Sequence, residues 1–214
     1  MANSNNPFRI SDHQLPYDSH NTYTVYFYDE SIHTTLTHDP TILTQWISDI
    51  DANFGRRIVG LDMEWRPSYT SEQNPVATLQ LSNGDRCLIF QLLFCPSIPN
   101  SLWNFLSNPN YKFVGVGIER DLEMLKYDYS VDLDVNFVDL RSLAARVYAM
   151  DELKNAGVKR LASLVLSREV EKPKRVTMSR WDKQWLMPAQ VQYACIDAYV
   201  CCKIGQALNA DSST

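Results

Sequence analysis

The sequence predicts an α/β or α+β fold, with one mixed sheet flanked by helices. Three observations lead there. Two runs rich in aromatic and β-branched residues, Tyr23–Tyr28 and Ser31–Thr37, open the ordered part of the chain as a pair of short strands. Two further strand-like runs meet across Ser82-Asn83-Gly84-Asp85, a hairpin signal. Helical and strand-like stretches then alternate, and the chain closes on a long helix.

The elements follow in order. Residues 1–22 are polar and read as a loose tail. After the first two strands, Asp39 and Pro40 open a helix whose apolar residues Ile42, Leu43, Trp46, Ile47 and Ile50 recur at helical spacing. Ile58–Glu64 is a strand, and a Pro-containing loop leads to strands at Val76–Leu81 and Arg86–Phe90. Ser101–Leu106 suits a short helix and Lys112–Val116 a compact strand; a helix starts at Asp121. Phe137–Leu140 is a last short strand. Beyond Arg141 the chain reads as helical, broken by a basic, Pro-containing loop over Glu171–Met178. The final helix starts near Pro188, a residue suited to a first turn, and runs to about Leu208. One ordered unit over 23–208 results, with its core at 58–208 and a short tail at 209–214.

Composition narrows the class. With 45% apolar and 21% charged residues, the chain is neither disordered nor a membrane protein by composition. No apolar run approaches the ~18 residues that span a bilayer. The five cysteines form no C-x-x-C pair, which speaks against structural zinc and for an intracellular setting, cytoplasm or nucleus. The net charge is −5, yet Lys159 to Lys183 holds eight Lys/Arg against three acids. That strip is +5 and the remainder −10, so an acidic body carries a basic band able to hold phosphates.

The carboxylates carry the chemistry. Asp62 and Glu64 lie two apart in an otherwise apolar strand, so both face one side while Leu61 and Met63 face the other. Two adjacent acids in such a setting require a counter-charge, and a hard divalent cation suits carboxylate oxygen. Asp197 follows Tyr193 by four residues on the last helix, so both share one face. Asp121 stands at a helix start, where an acid is also a common cap. Each has an ordinary structural explanation alone: strand end, helix surface or cap. Together they suit cleavage of a phosphodiester by two metal ions. Tyr193, with an ordinary pKa of ~10, would orient water rather than take its proton.

The residues Ile58–Pro67 (IVGLDMEWRP), Ala77–Phe90 (ATLQLSNGDRCLIF), Phe113–Leu125 (FVGVGIERDLEML), Val138–Ala144 (VDLRSLA) and Tyr193–Leu208 (YACIDAYVCCKIGQAL) resemble the DEDD 3′–5′ exonucleases, in the branch related to the Werner-syndrome exonuclease domain. The resemblance implies a ribonuclease-H-like fold with a mixed five-stranded sheet flanked by helices. It implies two Mg²⁺ or Mn²⁺ ions at Asp62, Glu64, Asp121 and Asp197, and stepwise hydrolysis from the 3′ end of single-stranded RNA or DNA. Tyr193 marks the tyrosine subclass; all four histidines precede Asp62, which excludes the histidine one. Met63 and Trp65 resemble the positions near the terminal nucleotide, and Lys174 and Arg175 are the candidate phosphate contacts in the basic band. Ala194-Cys195-Ile196-Asp197 departs mildly from the usual Ala-Ala-x-Asp. The opening YTVYFYDESIHTTLTHD is similar, more loosely, to small single-domain plant members. That likeness implies a hexameric ring and RNA turnover linked to Argonaute complexes, with RNA slightly favoured over DNA. The competing expectation is a catalytically silent module that binds nucleic acid or assembles with partners.

Overall fold

The computed structural model describes residues 7–16, 18–52 and 57–212. One mixed sheet organises them, with eight strands instead of the five that the resemblance implies. Its middle is the expected part: β4 (Ile58–Trp65) pairs antiparallel with β5 (Val76–Asn83), and β5 pairs antiparallel with β6 (Arg86–Gln91). On the other side β4 pairs parallel with β7 (Lys112–Gly115), and β7 pairs parallel with β8 (Phe137–Asp139). The β5–β6 connection turns at Gly84, whose positive φ of 69° the hairpin needs.

Three more strands extend the sheet beyond β6. β2 (His20–Phe27) and β3 (Glu30–Thr37), the expected pair of short strands, form a hairpin, and β3 lies parallel to β6, pairing Thr34 with Cys87 and Leu36 with Ile89. β1 (Phe8–Asp12) then covers the outer edge of β2, with Ile10 opposite Val25. The reading of 1–22 as a tail is therefore corrected over 8–12 and from His20 onward; residues 1–6 and 17 lie outside the described residues. The reason is local poverty of signal. FRISD has two apolar residues, Phe8 and Ile10, both only partly buried, and it pairs with a strand that the chain reaches only after a turn. An open strand edge supplies the hydrogen bonds that its own pattern does not announce. The 209–214 tail is likewise partly ordered: Ala210–Ser212 makes one 3-10 turn with Ala210 fully buried, and 213–214 lie outside the described residues.

Two apolar layers sandwich the sheet. On one face Leu43, Trp46, Ile47 and Ile50 of α1 (Pro40–Asp51) pack with α2 (Asn100–Leu106) and α3 (Ile118–Tyr129) against Val59, Leu61, Met63 and Phe113. Asp39 caps α1, its carboxylate accepting from Thr41 N at 2.7 Å. On the other face lie α4 (Leu140–Tyr148), α5 (Val158–Leu166), the short α6 (Lys174–Thr177) and α7 (Pro188–Ala207). α7 is apolar nearly all round, as a helix enclosed by its neighbours must be, with Ala194, Cys195, Val200, Cys202 and Ile204 fully buried. Among the described residues no helix is long and apolar enough to cross a membrane.

Candidate active site

The site lies where α7 crosses β4. The pleat sends Gly60, Asp62 and Glu64 toward α7, while Val59, Leu61 and Met63 enter the opposite layer. Gly60 permits the crossing: a Cβ there would collide with the Ala198 carbonyl oxygen and come within 2.7 Å of Cys202 N. With no side chain between them, the helix backbone rests on the strand and Asp197, one residue before Ala198, is pressed against the two acids. One carboxylate oxygen each from Asp62, Glu64 and Asp197 lies within 4.8 Å of the others. The regular pairing of β4 with β5 shifts between Glu64 and Trp65, so the strand bends away immediately after the second acid.

Asp121 comes from the other layer. β7 ends at Gly115, and Gly117, in the left-handed region at φ 79°, starts α3. Gly117, with no side-chain cap, occupies the cap position expected of Asp121, which sits one turn in. Gly117 N donates to Asp139 Oδ2 at 3.1 Å, and Asp139 pairs with Arg141 at 2.6 Å, which braces the start of the helix. Asp121 stays outside the tight set of three, although its charge acts on both Asp62 and Glu64.

Burial governs the electrostatics here. It raises the carboxyls of Asp62 and Glu64 well above the ordinary range, and the neighbouring acids, Asp197 beside Asp62 and Asp62 beside Glu64, push further. Burial also lifts Asp121 to about 7, against the pull of Arg120 and Arg141. Tyr193 is raised by burial and then by the charges of Asp197, Glu64 and Asp62, so its hydroxyl keeps its proton at neutral pH. The residue is 7% exposed, and its ring packs on Trp181 with centroids 6.1 Å apart.

The sequence offers Lys172 only as one cation of the basic band. The structure puts its Nζ 2.7 Å from Asp197 Oδ2 and 5.3 Å from the centre of the Tyr193 ring. The signal for it in the sequence is indirect: a cluster of buried acids requires a positive neighbour, and the band supplies several without saying which. Thr78 and Gln80 are a second omission. They stand opposite Glu64 and Asp62 on β5, fully buried on the same face, with Gln80 Nε2 donating to Thr78 Oγ1 at 2.6 Å.

The remaining expected residues are less drawn in. Met63 is 3% exposed and packs in the layer facing away from the acids, so its side chain is not brought to the site, a correction that follows from strand alternation. Trp65 is partly buried at the end of β4 against the same layer. Lys174 and Arg175 are exposed on α6, two and three residues beyond Lys172.

A sequence model of the 3′–5′ exonuclease family matches residues 35–211. The chain belongs to the 3′–5′ exonuclease family. Members of this family are hydrolases, and the match begins inside β3, so β1 and β2 precede it. The exonuclease chain is 35% identical over 148 residues to a 3′-5′ exonuclease of Arabidopsis thaliana, covering 68% of the chain and 50% of that relative. It is 33% identical over 180 residues to the mouse bifunctional 3′-5′ exonuclease/ATP-dependent helicase WRN, covering 82% of the chain and 12% of WRN. It thus spans half or less of these relatives' length. The exonuclease fold is shared with the Nibbler EXO domain of Aedes aegypti at a TM-score of 0.69 and 19% identity, covering 82% of this chain and 86% of that one. Escherichia coli RNase D gives 0.68 and 18%, covering 82% and 44%. The ribonuclease-H-like architecture read from the sequence is the one observed.

Proposed function

We propose that this chain hydrolyses phosphodiester bonds one nucleotide at a time from the 3′ end of single-stranded nucleic acid, RNA slightly ahead of DNA. The observation that carries the reading is the set of partly buried Asp62 and Glu64 and buried Asp197 with oxygens within 4.8 Å, in which Asp197 Oδ1 is buried without a hydrogen-bond partner. An orphaned carboxylate oxygen in such a place fits a cation ligand. Asp62, Glu64, Asp121 and Asp197 would hold two Mg²⁺ or Mn²⁺ ions, supplying an activated water and charge stabilisation on the leaving oxygen.

The chain's own groups do the rest. Tyr193, held protonated by burial and then by its acidic neighbours, orients the attacking water through its hydroxyl without acting as base. Water adds to phosphorus, the bond to the 3′-oxygen of the penultimate nucleotide breaks, and that oxygen takes up a proton. The product is a nucleoside 5′-monophosphate and a strand shorter by one. Trp65 offers an aromatic face at the end of β4, where stacking is worth ~1–3 kcal/mol per base. Any contact from Met63 to the terminal nucleotide comes through its backbone. Lys174 and Arg175 continue the line of cations outward from Lys172 and suit the phosphates of the approaching strand.

RNA is preferred on the sequence's resemblance to the small plant members, from which the hexameric ring and Argonaute-linked turnover also derive as proposals. The E. coli neighbour is described as an exoribonuclease involved in structured RNA processing. The direct test uses 5′-labelled single-stranded RNA and DNA of one sequence with Mg²⁺ or Mn²⁺, then with chelator. The expected result is a ladder descending one nucleotide at a time, faster on RNA and abolished by chelator. Internal cuts, or no shortening with either ion, would contradict the reading. Light scattering at micromolar concentration should give a mass about six times the monomer; a monomer disposes of the ring.

A further inference from the structure

We infer that Lys172 is a resident counter-cation which competes with a divalent ion for Asp197, and that the β2–β3 turn holds it there. The inference rests on the metal reading above and adds to it a residue that tunes metal occupancy. Three facts support it. First, the ammonium of Lys172, on a side chain 37% exposed, sits 2.7 Å from Oδ2 of Asp197, whose side chain is only 3% exposed, while the other oxygen of that carboxylate has no hydrogen-bond partner. Second, the same ammonium lies 5.3 Å from the centre of the Tyr193 ring, one turn before Asp197 on α7, so it packs on the face of the helix that carries the acid. Third, Lys172 belongs to a stretch between α5 and α6 that is fastened two to four residues upstream. Arg168 Nη2 pairs with Asp29 Oδ1 at 2.7 Å, and its guanidinium lies 4.3 Å above the Tyr28 ring. Glu169 N donates to the Tyr28 hydroxyl at 2.9 Å, and Val170 is 1% exposed in the apolar layer.

The physical consequence is competition. An ammonium and a divalent ion on one carboxylate repel each other strongly in a partly dehydrated site. A cation fastened beside Asp197 therefore lowers metal affinity and, in exchange, keeps the acid cluster folded when metal is scarce. The fastening matters because a free lysine would leave for water at small cost, whereas one on a short anchored stretch stays close. The β2–β3 hairpin, which the family match does not fully include, thereby gains a role at the site without touching it.

The test is calorimetric titration of Mn²⁺ alone into the full chain at one pH and salt. Lys172→Gln should bind Mn²⁺ about tenfold tighter than wild type, a ratio equal to ~1.4 kcal/mol; Lys172→Arg, which keeps the charge, should stay near wild type. Arg168→Gln, which loosens the fastening, should fall between wild type and Lys172→Gln. Equal or weaker binding by Lys172→Gln overturns the competition, and Arg168→Gln identical to wild type overturns the role of the hairpin. If Lys172→Gln does not fold, the ¹⁵N signal of the Lys172 ammonium in wild type decides: Mg²⁺ should move it toward a solvated lysine, and an unchanged signal overturns the inference. Asp197→Asn separates this from failure of the metal reading. It should lose the Mn²⁺ heat; if it binds as wild type does, the acid cluster is not the metal site and the inference falls with it.

Discussion

Asp62, Glu64 and Asp121 hold their protons more tightly than ordinary carboxylic acids because burial penalises the charged form. Folding therefore favours their protonated state. That contribution is complete below the ordinary carboxylate range and is lost as pH rises through the native values, about 7 for Asp121. The chelated protein should thus lose thermal stability as pH rises from the ordinary carboxylate range through neutrality, and Mg²⁺ or Mn²⁺ should reduce or reverse the slope. A melting temperature in chelator that rises across that window would contradict the burial of these acids. Tyr193→Phe removes a water-orienting hydroxyl but no base, so kcat should fall roughly 10- to 100-fold, at or below the low end of what a full general base supplies. Steady-state rates on one substrate check it, and an unchanged kcat would make the ring a packing element. At this scale the sequence is informative where spacing is local: Asp62 with Glu64, and Tyr193 with Asp197, each share a face by simple periodicity. Lys172 and Asp197 lie on separate segments, and no periodicity relates them.

Elements explain why these side chains meet. The contact between β4 and α7 depends on Gly60, where an added Cβ would push into the Ala198 carbonyl. Gly60→Ala should cost about 1–3 kcal/mol, in the range of core overpacking, and should lower activity more than an equally destabilising change remote from the site. Chemical denaturation beside a rate measurement separates the two; full stability in Gly60→Ala would show the crossing to be looser than described. The helices and central strands are legible because each carries its own pattern, as in Leu43, Trp46, Ile47 and Ile50 of α1. β1 is not, since FRISD gains its strand conformation from the edge of β2. The start of α3 lies at Ile118, ahead of the expected Asp121, because Gly117, which precedes the helix in a left-handed conformation, has no capping side chain to mark the start in sequence.

For the whole molecule, the central question is how an acidic protein would engage the polyanion proposed as its substrate. The answer offered by the fold is separation: Asp62, Glu64 and Asp197 are gathered where α7 crosses β4, and the cations at Lys174 and Arg175 stand exposed on α6, two and three residues beyond Lys172. Replacing both by Ala should weaken binding to single-stranded oligonucleotides and flatten its dependence on salt by about 0.7 in logarithmic slope for each phosphate that is no longer neutralised. Fluorescence anisotropy over a salt series measures that slope, and an unchanged slope would return the two residues to ordinary solvated surface. The attachment of β3 to β6, which makes a hairpin part of an eight-stranded sheet, is beyond sequence patterning because parallel pairing joins segments far apart in the chain, His33 with Arg86 among them. Side-by-side digestion of 5′-labelled single-stranded RNA by wild type and Asp62→Ala in Mn²⁺ bears most closely on the acid cluster as the seat of hydrolysis. Wild type should give a one-nucleotide ladder and the variant should leave the substrate intact; equal shortening by both would contradict catalysis by these acids.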